Sequence, residues 1–148
     1  MQSQSPQEYF QAILLTVVGQ AFLAAGYPLE ERPLRWANGL FRFVKPLEPD
    51  AQAAIEFQHL AYTQGNPSRF TVFLERKALG PSAALPAVRL SLSKLVVGEF
   101  GVAILPEIDY WWTFHSTTQL GGALAEAGHL AVAYGMPWLA GDLLPPSA

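Results

Sequence analysis

Cysteine is absent from all 148 residues, which excludes a disulfide framework and a thiolate metal site. Charge is scarce as well. Asp, Glu, Lys and Arg make up 14% of the chain, against about 25% in an ordinary domain. Only nine residues are Lys or Arg, scattered through a chain of net charge −3. They form no basic stripe of the kind that neutralises phosphates, so nucleic acid is not an expected partner. The three histidines, His59, His115 and His129, show no i,i+4 pair and no HExxH arrangement. No metal site is expected, because three or four converging ligands are not supplied locally. A glycine-rich phosphate loop, a G-x-S-x-G elbow and a dinucleotide fingerprint are all missing, and no cofactor is expected. The apolar run from Ala12 to Ala25 contains Thr16, Gly19 and Gln20 and falls short of the ~18 residues that span a bilayer. Met1–Ser5 has no positive residue for a secretory leader, so the expected location is the cytoplasm, away from membrane.

Apolar residues, by contrast, are plentiful at 51%. A chain of this length fits one domain, residues 1–148, with fraying ends at 1–5 and 143–148, and folding hides roughly 68–70% of the surface of the unfolded chain. With so few charges to cover the outside, some apolar surface is left for a second chain, which predicts a homodimer.

The chain is organised around Ala53 to Arg76. Ile55 and Phe57 alternate with Glu56 and Gln58, and Phe70, Val72 and Leu74 alternate with Thr71 and Glu75. That period of two is the pattern of half-buried strands, and Gly65-Asn66-Pro67-Ser68 supplies the turn of an antiparallel hairpin. Ahead of it, Ser5-Pro6-Gln7-Glu8 is a capping box with Pro at the first helical position. The helix it opens carries Phe10, Ile13, Leu14, Val17 and Ala21 on one stripe and stops at Gly26 and Pro28. Asn38-Gly39 signals a tight hairpin that pairs Trp36 with Phe41, with Pro46 and Pro49 ending the second strand. Val88–Leu92 reads as another strand. Ser93–Phe100 fits a short helix closed by Gly101 or an extension of that strand, and Asp109–Phe114 has strand composition. Ser116 and Gln119 form a second capping box, opening a helix with Leu120, Leu124, Ala127, Ala131 and Tyr134 inward, which Gly135 and Pro137 terminate. The order predicts an α+β fold: an antiparallel sheet of about five to six strands with N- and C-terminal helices packed on one face. The other face would bear Arg42, Glu56, Gln58, Thr71, Phe73 and Glu75, a mixture suited to a groove or an interface.

Candidate binding residues follow from that layout. His59 shares a face with Ile55 and Phe57 and reads as a core or rim histidine with one hydrogen-bond partner. Trp111 and Trp112 are adjacent in a strand, so one indole enters the core and the other faces outward. Beside Tyr110 and His115, an outward indole makes a stacking wall or a partner hot spot; the alternative is that the closing helix and tail cover both. Arg69 and Arg89 lie at strand starts, where they bind an anion or pair with Glu56 or Glu75 across the sheet. The carboxylate pairs Glu30/Glu31, Glu48/Asp50 and Glu107/Asp109 read as solvated loop charge.

The order of short motifs is similar to that of bacterial families of small α+β domains of unknown function. It runs through Ala25-Gly26-Tyr27, Asn38-Gly39-Leu40-Phe41-Arg42, Ile55-Glu56-Phe57-Gln58, Phe70-Thr71-Val72, Arg89-Leu90, Asp109 before Trp111-Trp112, and Pro137-Trp138-Leu139. Some of those families are suspected of acting as immunity proteins, and the resemblance implies a fold and a protein-binding role but no catalytic residue. Two readings follow. One is a non-catalytic protein-binding module using the outer sheet face and the aromatic cluster. The other is an enzyme or small-molecule binder with a pocket between sheet and closing helix, using His115, His59 and Arg89.

Overall fold

Ser5 caps the first helix by accepting a hydrogen bond from the Glu8 amide at 3.1 Å, as the capping box predicts. The structure, a computed structural model, describes residues 5–61 and 67–146; the hairpin turn at Gly65-Asn66 and the extreme ends lie outside them. The first rod, α1, covers residues 6–24. It is an α-helix over Pro6–Leu14, passes through a π turn at Leu15–Gly19, and closes with an α-helical segment at Gln20–Ala24. Its buried residues are Phe10, Leu14, Val18 and Phe22, every fourth residue, whereas Ala21 of the expected stripe is exposed. Spacing by fours drifts around an ideal helix of 3.6 residues per turn, and the wider π turn takes up that drift. Gly26, at φ +91°, ends the rod: the Tyr27 amide reaches back to the Phe22 carbonyl at 2.8 Å. Lys45 caps the same terminus through the Ala25 carbonyl at 3.0 Å, where a cation meets the negative end of the helix.

Asn38-Gly39 does not form the expected hairpin. Pro33–Ala37 is a short helix, α2, and Gly39 stands just past its end at φ +81°. The positive φ that an Asn-Gly turn supplies is equally what a helix terminus requires. Strands β1 (Leu40–Leu47), β2 (Ala51–Leu60) and β3 (Ser68–Ala78) then form an antiparallel meander, with β4 (Val88–Ser91) next along. Pro46 lies inside β1 and does not end it; on this side strand the absent N–H is tolerated. The Asp109–Phe114 strand shortens to β5, Trp112–Phe114, which pairs with β3 at Ser68–Phe70 while β4 pairs with Phe73–Arg76. The ambiguous 93–100 stretch resolves as a π-helical segment at Lys94–Glu99, followed by Gly101 at φ +69°.

The closing rod, α3, covers residues 117–139. Ser116 caps it by accepting from the Gln119 amide, and Gln119 accepts from the His115 amide at 2.6 Å. Gly135 and Pro137 do not stop it. The rod passes through a π turn of its own, Ala131–Gly135, into Met136–Leu139, where Pro137 occupies an opening position that needs no donor. Gly141 at φ +82° follows its end. The two rods come together at Gly128, where an added Cβ would lie 2.7 Å from Val18 Cγ1, and the Tyr9 and Thr117 hydroxyls share a hydrogen bond.

Both rods pack on the sheet face that bears Phe41, Phe43, Ile55, Phe57, Phe70, Val72 and Leu74. Phe10 meets Phe41 and Phe70, Phe22 meets Phe43 and Phe57, and Gly135 abuts Leu74. Arg76 points to this side as well. Its guanidinium donates to the Leu139 carbonyl at 2.8 Å and the Pro86 carbonyl at 2.9 Å, so a buried cation is met by the end of α3 and by the loop before β4. The molecule is thus an α+β layer, a five-strand antiparallel sheet with its N- and C-terminal helices against one face.

Candidate interaction face

Alternation along β1–β4 sends Arg42, Glu56, Glu75 and Arg89 to the other face, one from each strand. They close a ring. Arg42 Nη1 donates to Glu56 Oε1 at 3.0 Å and Arg42 Nη2 to Glu75 Oε1 at 2.8 Å; Arg89 Nη2 donates to Glu56 Oε2 at 2.9 Å and Arg89 Nη1 to Glu75 Oε2 at 3.3 Å. Gln58 adds a donor to Glu56 at 2.7 Å. The side chains lie flat across the strands and screen one another, leaving Glu56 6% and Arg42 9% exposed. Burial alone would raise the Glu56 carboxyl, but hydrogen bonds from Arg89, Gln58 and Arg42 outweigh it and hold the group below the usual carboxylate range. Glu75 is held low in the same way, burial opposing and Arg42 winning. Two cations and two anions sum to zero, so the ring is polar yet neutral.

Aromatic rings border the ring of charges. Arg89 lies over Phe73 and Arg69 over Trp111, each with its guanidinium carbon 4.6 Å from the ring centroid. Arg69 and Phe73 are four residues apart on β3, which places the two stacks ~13 Å from each other along the strand. The segment carrying Trp111 is fixed between β4 and β5, where the Thr71 hydroxyl donates to the Tyr110 carbonyl at 2.8 Å and the Tyr110 amide donates to the Ser93 hydroxyl at 3.1 Å. Tyr110 itself is half-buried, edge-on to Trp112 with centroids 5.0 Å apart.

The tryptophan doublet splits as strand geometry requires. Trp112 is buried, stacked on Phe70 and donating its indole N–H to Glu126 at 2.8 Å, while Trp111 turns to the outer face and stays half-buried under Arg69. His115 is exposed where β5 gives way to α3. His59 is 3% exposed, its ring stacked on Phe10 with centroids 4.2 Å apart and its Nδ1 2.7 Å from Gln7 Oε1. Its Nε2 is buried with no partner among the described residues, and burial pushes its pKa down to about 4. Gly39 permits this corner, since a Cβ there would meet the His59 carbonyl at 2.2 Å.

His59, His115 and Arg89 are therefore not brought together, because His59 and Arg89 lie on opposite faces of the sheet. Arg69, Arg89 and Trp111 share one face, and Phe73 joins them though sequence reasoning had not singled it out as a binding residue. The signal for it was its odd place among polar neighbours of the same parity. Glu107 and Asp109 are exposed in the loop before β5, as their sequence predicts. Among the described residues no group of three or more His, Asp or Glu side chains is arranged to hold a metal ion, and no helix is long and apolar enough to cross a membrane. No protein-family model, curated protein or solved structure matches this chain.

Proposed function

We propose that this protein is a non-catalytic interaction module that docks a protein partner on the outer face of its sheet. The observation that carries the reading is the pair of Arg–aromatic stacks, Arg69–Trp111 and Arg89–Phe73, flanking a charge ring that is already neutral. Arg and aromatic residues are the types that dominate the cores of protein interfaces. Because the ring's carboxylates are already hydrogen-bonded, a partner that covers them strands no lone charge. Strands β3 and β4 hold Arg69, Phe73 and Arg89, and the hydrogen bonds of Tyr110 fix the segment beside Trp111, so little conformational freedom is lost on docking.

A pull-down from native lysate tests this. Wild-type protein recovers a stoichiometric partner, and Trp111→Ala weakens the capture by about 2 kcal/mol, near 30-fold. Arg89→Ala acts in the same direction. Its side chain is 41% exposed but bonds the buried Glu56, so its loss also costs stability, and Trp111→Ala, which leaves the ring intact, separates weakened capture from a folding defect. A captured partner indifferent to both substitutions overturns the proposal, as does the lack of any partner.

A further inference from the structure

The outer surface of the helix layer has an unusual charge distribution. All nine Lys and Arg residues fall between Arg32 and Lys94; residues 6–25 contain one charged side chain, Glu8, and residues 117–141 contain one carboxylate, Glu126. Glu126 is already engaged by the Trp112 indole. Between the rods runs an apolar groove of about 320 Å³ whose lining includes Val17, Ala21, Ala125, Gly128, His129 and Val132. A second groove, about 280 Å³, flanks the other side of α1 and includes Leu15, Gly19, Leu23 and Leu29. The later turns of α1 therefore form a ridge with an apolar furrow on each side, and Leu23, 62% exposed, stands on it.

We infer that this layer is the interface of a homodimer, with the α1 ridge of one copy seated in the groove between the rods of the other. A ridge beside a groove is self-complementary across a two-fold axis, where the same patch faces itself. Charge chooses the occupant. A surface without Lys or Arg offers no steering to a charged partner, whereas apposing it to its own copy brings no cations together and leaves Glu126 tied to Trp112. Area is adequate: rods ~30 Å long, side by side at ~10 Å spacing, present ~600 Å² per copy. The pair buries ~1,200 Å², above the roughly 1,000 Å² that a specific interface needs. This inference stands apart from the docking face, which lies across the sheet.

Light scattering coupled to size exclusion decides it. The wild-type protein runs at twice the 16.2 kDa chain mass across about 1–100 µM, with no dissociation on going from about 0.1 to 1 M salt, since no ion pairs hold the contact. Ala21→Lys and Ala125→Lys each place a cation in the furrow and give monomers with unchanged circular dichroism, both sites being exposed. They lie on different rods, so a folding defect in one leaves the other informative. Trp111→Ala stays dimeric. A monomeric wild type overturns the inference, and so does a dimer that survives both lysines.

Discussion

Burial removes His59 from water and leaves its Nδ1 paired with Gln7, and its pKa falls from 6.5 to about 4 as a consequence of the burial. The unfolded chain takes up that proton more readily than the native one, so stability falls as pH drops from about 6.5 towards 4, by ~3 kcal/mol in all. His59→Phe keeps the stack on Phe10 and removes the titration, and urea unfolding across this range should show a flatter profile than wild type. An unchanged slope would assign the pH dependence elsewhere. Glu56 acts in a lower window. Its folded carboxyl is held down, so its stabilisation is complete above the unfolded value near 4.3 and is lost only as pH falls further, through the folded value. At pH 7, Glu56→Gln breaks a buried pair and leaves Arg42 half-met, for a cost of about 3 kcal/mol in urea unfolding. A loss no larger than that of an exposed pair would mean the ring is open to water.

At the scale of elements, the strands were legible because a two-residue period has one reading when a face is buried, and the Ile55/Phe57 and Val72/Leu74 alternations hold in the register. Trp111 and Trp112 part for the same reason. The errors came where one local signal serves two geometries. Asn38-Gly39 supplies positive φ to a helix end as readily as to a hairpin, and Pro137 opens a helical segment as well as it blocks one. The π turns of the two rods left no mark that the 3.6-residue stripe could show, since the fourfold spacing of Phe10, Leu14, Val18 and Phe22 becomes meaningful only once the rod is seen against the sheet. The rods' closest approach is itself testable. Gly128→Ala would gain about 1 kcal/mol of helix propensity, yet its methyl would sit 2.7 Å from Val18 Cγ1, an overpacking that costs about 1–3 kcal/mol. The variant should therefore be destabilised in thermal melts, and adding Val18→Ala should recover at least about 1 kcal/mol relative to the sum of the two single changes. Additive losses would show that the rods do not touch there.

For the whole molecule, sequence order indicated the layering, because helices at the two ends of a run of strands have one common sheet face on which to pack. The reverse face was legible as polar, and Arg89 was foreseen to pair with Glu56 or Glu75. That Arg42 joins them in a closed four-strand ring required the register, since Arg42 reaches over β2 to Glu75 and Arg89 reaches over β3 to Glu56. The Lys and Arg residues, read from the sequence as scattered, all lie between Arg32 and Lys94, a restriction that gained meaning only when the two ends without Lys or Arg proved to share one surface. The two proposals give the two sides of the molecule different work, docking on the sheet face and self-association on the helix face.

Hydroxyl-radical footprinting of the free protein against its captured complex tests that division most directly. Oxidation of Trp111 and Phe73 should fall several-fold on complex formation while buried Trp112 stays inert and Leu23 and Val132 keep their free-protein levels. Protection at Leu23 and Val132, with Trp111 and Phe73 as reactive as before, would contradict it.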